Sequence, residues 1–99
     1  MPEILILEFA GIGEDVYHAV NAQLGIDPAA RTGDLPAGLR HHQAGTTAAG
    51  NLVVIELWDS QEANTAFMES RLGPALGQAG VPEPVRAEWV PTIGVIEPW

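Results

Sequence analysis

Leu52-Val53-Val54-Ile55-Glu56-Leu57-Trp58, followed at once by Asp59-Ser60-Gln61-Glu62, reads as a strand that runs straight into a capped helix. The seven leading residues are bulky and almost continuously apolar, the pattern of a strand covered on both faces rather than one with a wet side. Asp59 or Ser60 offers a side-chain oxygen to the free N–H groups of the first helical turn. The Asp59 to Glu62 spacing is that of a capping box with Asp in place of Ser or Thr. Ala63, Ala66, Phe67 and Ser70 then fall on one helical face. Gly73-Pro74 is expected to break the helix, with a further turn or two reaching Gln78 before Gly80 and Pro82.

Working outward, Glu3 to Phe9 repeats the same bulky, non-alternating pattern and ends at Gly11 and Gly13. It is a second central strand. Glu14 to Leu24 places Val16, Val20 and Leu24 at helical spacing, with acids in the first turn and Gly25 as the stop. Ile26 to Ala37, holding Pro28, Gly33 and Pro36, reads as a loop, long enough to serve as a lid. Leu39 to Ala44 is a more polar strand suited to an edge, and Gly45 to Asn51 a hairpin connection. Val85 to Thr92 is the last strand, limited by Pro91. The order β-α-β-β-α-β is the ferredoxin-like split βαβ pattern, which makes the first and third strands central. Those are the two most apolar ones. The expectation is therefore one α+β domain over residues 1–99, a four-stranded antiparallel sheet with two helices on one face.

Two helices hide one face only, yet both central strands are apolar on both faces. One of the sets Ile4, Ile6, Leu52, Val54 and Leu5, Leu7, Val53, Ile55, Leu57 would be left in water by a single chain, which predicts a second copy against it.

Composition narrows the function. The 99 residues are 46% hydrophobic and 17% charged, with four arginines, no lysine and thirteen acids, for a formal net charge of -9. So acidic a surface repels nucleic acid and anionic membranes. Without cysteine there is no thiolate chemistry and no Cys-based metal site. The chain opens with no signal-like segment and has no apolar run of about 18 residues, so the expected location is the cytoplasm. Gly11-Ile12-Gly13 lacks the spacing and setting of a nucleotide-binding turn, and no HxxxH or HExxH occurs. No cofactor and no metal are expected.

The string Trp58-Asp59-Ser60-Gln61-Glu62-Ala63, then Phe67, then Arg71-Leu72-Gly73-Pro74-Ala75-Leu76 and Gly80 resembles the dimeric α/β-barrel superfamily, closest to small actinobacterial members near the antibiotic biosynthesis monooxygenases. Pro36-Ala37-Gly38-Leu39, His42, Ala44-Gly45 and the opening strand with its Gly-rich turn carry the same likeness. The resemblance implies a homodimer whose two sheets meet as a barrel, and an apolar cavity for a small molecule. It leaves three activities open: cofactor-independent monooxygenation of an aromatic or polyketide-like compound, a polyketide cyclase-like reaction, or non-catalytic binding, as in a stress-associated protein. Relatives that degrade haem pair a Trp at the place of Trp58 with an Asn on the first strand and a His on the second helix. Neither is present here, and Met68 lies near where the His would fall, which argues against haem degradation.

Within such a cavity His42 and Glu56 are the candidate catalytic pair, an imidazole and a carboxylate able to move a proton near neutral pH. Glu8 joins them if it shares their sheet face. Trp58, Tyr17, Glu8 and Phe67 are the candidate substrate-binding residues. Plainer alternatives stand beside these: His42 as a hydrogen-bonded interface histidine, the acids as partners of Arg40, His42, Arg86 or backbone donors, Trp58 as core packing, Tyr17 as a packed ring with a wet hydroxyl. His41 points away from His42 in a regular strand. His18 is expected to be exposed. Trp89 and Trp99 suit the edge strand and a dimer contact, and the tail from Gly94 to Trp99 is apolar enough to dock on a partner.

Overall fold

Alternate bulky residues make β1 (Glu3–Phe9) and β5 (Leu52–Trp58) the inner strands of a four-stranded sheet in the computed structural model, which describes residues 2–96. Between them in sequence come α1 (Glu14–Leu24), the two-residue strands β2 (Ile26–Asp27) and β3 (Thr32–Gly33), and β4 (Leu39–Thr46). After β5 follow α2 (Gln61–Phe67), α3 (Gly73–Ala79) and β6 (Arg86–Pro91). The sheet order is β4-β5-β1-β6, antiparallel throughout. This is the expected α+β, ferredoxin-like arrangement.

One face of the sheet is covered. Leu5, Leu7 and Phe9 of β1 and Leu52, Val54 and Trp58 of β5 are buried there against Val20 and Leu24 of α1, Phe67 of α2 and Ala75 of α3. The other face carries Ile4, Ile6, Val53, Ile55 and Leu57, half-buried or exposed, with Val90 of β6 beside Ile4. Among the described residues, the helices that contribute to the buried core all lie on the first face. The surplus of apolar sheet surface is thus physically present.

Three details differ from the sequence reading. The Ile26–Ala37 stretch is not wholly loop, because β2 and β3 pair as a small hairpin. The Gly73-Pro74 pair does not break the helix. A π-helical turn over Met68–Leu72 joins α2 to α3 without interruption. There the Gly73 N–H bonds to the Met68 carbonyl five residues back, the wider register that lets a proline follow inside a helix. A Cβ at Gly73 would stand 2.7 Å from that carbonyl oxygen, so glycine is what permits the turn. Finally, the buried face of α2 is Asn64 and Phe67, with Ala63 half-buried, while Ala66 and Ser70 are exposed. The cap is on Ser60, whose Oγ accepts from the Ala63 N–H at 3.1 Å.

Ile93 and Ile96 are exposed at the end of the described chain, and Trp99 lies outside the described residues. Trp89 is half-buried on the covered face, opposite Leu5.

Candidate functional site

Strand register decides which polar side chains meet. His42 stands directly opposite Glu56 in the β4–β5 ladder, on the helix-covered face. Simple alternation groups His42 with Arg40, and His41 with Leu39. A bulge between Leu39 and His41 overturns that grouping. Leu39 pairs with Trp58 and His41 with Leu57, which leaves Arg40 as the extra residue. Leu39 and His42 therefore share the covered face, and His41 takes the other.

Glu56 is buried and both its oxygens are engaged. Oε2 accepts from His42 Nδ1 at 2.7 Å, and Oε1 accepts from Trp58 Nε1 at 3.0 Å. Trp58 has 0% exposure and packs on Phe67, ring centroids 5.9 Å apart. On the far side of the imidazole, Tyr17 comes from α1 and its hydroxyl lies 2.6 Å from His42 Nε2. The two rings are nearly parallel, 10° apart in plane. When Glu56 is ionised and the imidazole is neutral, the carboxylate can only accept, so Nδ1 carries the ring proton and Nε2 takes the hydrogen of the Tyr17 hydroxyl. The four side chains form a line from Trp58 through Glu56 and His42 to Tyr17. At its end the phenol oxygen keeps lone pairs for a further partner.

That end borders a partly open cavity of about 780 Å³. Pockets that hold small organic molecules span roughly 300–1,000 Å³. Leu7 and Val54 of the sheet, Val16 and Val20 of α1, and Leu72 and Leu76 of the helical layer make most of the wall apolar. Tyr17, His42, Glu56 and Phe67 also border it. Trp58 does not, and lies behind the wall as core. Glu8 is elsewhere. It projects from the uncovered face, in register with Val53, and accepts from Asn51 Nδ2 at 2.8 Å. The expectation that Glu8 and Glu56 share a face is therefore corrected. Within each strand the parity is as expected, but the register between strands sets Glu8 opposite Val53 and so turns the two acids to opposite sides.

Two further features shape the site, and sequence reasoning singles out only the first, as a loop long enough to serve as a lid. Residues of the β2–β3 hairpin and its exit, Ile26, Thr32 and Leu35 among them, form part of the cavity wall. Arg71 holds this segment down. One Nη2 donates to the Leu24 carbonyl at 2.8 Å and to the Asp34 carbonyl at 2.7 Å, and the guanidinium lies 5.3 Å from the Phe67 ring centre. Nothing in the spacing of Arg71 announces this, because its partners are 47 and 37 residues away. His18 is exposed, 3.7 Å from Glu14. Among the described residues no group of three or more His, Asp or Glu could hold a metal ion, and no helix is long and apolar enough to cross a membrane.

Burial pushes the Tyr17 phenol above its ordinary pKa, and the nearby Glu56 carboxylate adds to the rise, while Asn21 opposes it. Tyr17 is the only tyrosine of the chain, so its ionisation can be read alone by absorbance near 295 nm. The folded protein is expected to titrate above the usual phenol value of about 10, and the urea-unfolded chain at that value. Because the folded state holds this proton more tightly, its contribution to stability is complete below the unfolded pKa. It is lost as pH rises through the folded one. Tyr17→Phe should remove both the absorbance step and that part of the alkaline loss of stability.

An α+β fold with an apolar cavity between sheet and helices, and a polar relay in its wall, defines the class of structure to which the chain can be compared. A Chloroflexus aurantiacus protein provisionally assigned as an antibiotic biosynthesis monooxygenase matches with a TM-score of 0.66 at 14% identity, over 96% of this chain and 97% of its own. The Mycobacterium tuberculosis protein Rv0793 matches with a TM-score of 0.67 at 19% identity, over 98% and 100%. At these identities the likeness establishes a common fold. No family model and no curated protein matches the sequence.

Proposed function

We propose that the chain is a single-domain, cytoplasmic, homodimeric enzyme that removes a proton from an aromatic or polyketide-like small molecule held in the cavity. Its foremost reaction is cofactor-independent monooxygenation. The observation that carries this reading is the Tyr17–His42–Glu56 relay in a mostly apolar wall. Both ring nitrogens of His42 are occupied, so the substrate meets the relay at the Tyr17 oxygen. As that oxygen accepts a proton from the substrate, its own passes to His42 Nε2, and Glu56 stabilises the imidazolium that forms. His42 supplies the basicity and Tyr17 the contact. Phe67 and the apolar wall exclude water and hold the ring system.

The electrons balance without a cofactor. An activated CH₂ loses a proton to the relay, the carbanion passes its electrons to O₂, and the resulting hydroperoxide loses water to leave a carbonyl. One CH₂ and one O₂ become one C=O and one H₂O. The same proton removal without O₂ would drive an aldol-type cyclisation, the second reading.

Anthrone, with a doubly activated CH₂, is a suitable probe. Wild-type protein should consume one O₂ per anthrone converted, and His42→Ala should slow this by about 10²–10⁴-fold, the usual reach of a positioned base. The variant should keep the wild-type mass in solution. Loss of the dimer in His42→Ala would make His42 a structural residue. Absence of O₂ uptake by the wild type would leave cyclisation or ligand storage, which native mass spectrometry for a bound molecule would separate.

A further inference from the structure

The four arginines are not equivalent. Arg40 stands 3.7 Å from Asp59, Arg71 3.3 Å from Asp34 and Arg86 2.8 Å from Glu88. Arg31 has no ion-pair or hydrogen-bond partner among the described residues, yet it borders the cavity. Of the two acids nearest in sequence, Asp34 is paired with Arg71, and Asp27 has its Oδ1 turned to the N–H groups of Ala29 and Ala30 at 3.1 Å each, closing the hairpin between β2 and β3. Arg31 ends that turn with φ 57, the one non-glycine residue with positive φ among those described. Such a position favours Gly or Asn, since a Cβ is crowded there. An arginine in that conformation puts an uncompensated guanidinium at the cavity wall of a chain whose net charge is -9.

We infer that Arg31 recognises an anionic group of the ligand, so that the molecule taken up is an aromatic carboxylate rather than a neutral hydrocarbon or alcohol. This deepens the functional reading above and rests on the same cavity. Arg40 also borders the cavity but is paired with Asp59. Since the acidic surface repels anions in general, the wall cation without a carboxylate partner, Arg31, is the natural docking point for a carboxylate. A guanidinium offers it two parallel N–H donors, a geometry that selects carboxylate over hydroxyl. The apolar walls take the rings.

A matched pair of fluorescent probes tests this, 9-anthracenecarboxylate and 9-anthracenemethanol, titrated into wild type, Arg31→Gly and Arg31→Gln. The wild type should bind the carboxylate about tenfold more tightly than the alcohol, the scale of one charged hydrogen-bond pair. Both variants should bring that ratio close to one and leave the affinity for the alcohol unchanged. Arg31→Gly suits the positive φ, so its thermal midpoint should stay level or rise, which separates lost recognition from lost folding. Raising salt from about 0.05 M to about 0.5 M should shrink the wild-type ratio. A wild-type ratio near one, or a preference that survives Arg31→Gly, overturns the assignment of Arg31 alone. Failure of both probes to bind overturns the cavity reading and the proposed function with it.

Discussion

Glu56→Gln and Glu56→Ala are expected to abolish turnover alike but to differ in stability. In the proposed relay, either change removes the negative charge that holds His42 with its proton on Nδ1 and that would stabilise the imidazolium once Tyr17 hands its proton on. An amide in place of the carboxylate of a relay selects the wrong tautomer, and losses of about 10³–10⁴-fold in rate are the scale to expect. Stability follows a different count. Glu56 accepts two hydrogen bonds, from His42 and from Trp58, and Trp58 is fully buried. Alanine leaves both donors without a partner, at about 1–3 kcal/mol each. Glutamine still offers one acceptor oxygen and should lose about half as much. Urea denaturation read by tryptophan fluorescence, beside O₂ uptake with anthrone, separates the two effects. Full activity in Glu56→Gln would remove the carboxylate from the mechanism and leave it as the anchor of Trp58.

What was legible in the sequence divides along the range of the interactions involved. Elements whose cause lies within a few residues were readable. α1 (Glu14–Leu24) has the expected bounds, and Gly25 ends it with a positive φ of 73. The rank of β1 and β5 as inner strands followed from their bulk. His42 and Glu56 could be paired as candidates because polar groups stood in otherwise apolar or edge strands. The bulge at Arg40 was not readable, since it depends on how β4 docks on β5 and not on any local signal. Nor was the opposition of Glu8 and Glu56, for a register between two strands is a long-range property. The Tyr17 to His42 contact joins residues 25 apart and depends on how α1 crosses the sheet. Gly73-Pro74 misled because the rule that proline breaks a helix assumes α register, and the π turn relaxes that assumption.

The uncovered sheet face yields the other large effect. Ile6 and Ile55 are direct cross-strand partners near its middle, with Ile4, Val53 and Leu57 around them. Ile55 is 41% exposed. Glu8, Arg86 and Glu88 lie in register on the same face, the last two joined by a 2.8 Å ion pair, and give this apolar centre a polar margin. An apolar centre with a charged rim is the anatomy of a protein interface. If two copies of the chain close on one another here, each aspartate placed at Ile6 or Ile55 is buried by a symmetric twin. Desolvating a carboxylate without a partner costs several kcal/mol even after relaxation. Ile6→Asp/Ile55→Asp puts four such charges into one dimer, so association should weaken by at least about 10⁴-fold, about 5.5 kcal/mol. The fold of each chain should survive, because in the lone chain both side chains face away from the helix-covered core. Sedimentation equilibrium at micromolar concentration should return twice the chain mass for wild type and the single chain mass for the variant. A wild type that sediments as one chain would leave the apolar face unexplained and sink the dimer. The cavity and its relay lie on the opposite side of the sheet. O₂ uptake by the monomeric variant therefore decides whether pairing serves the chemistry or only hides the apolar surface. Retained uptake would locate the whole reaction within one chain.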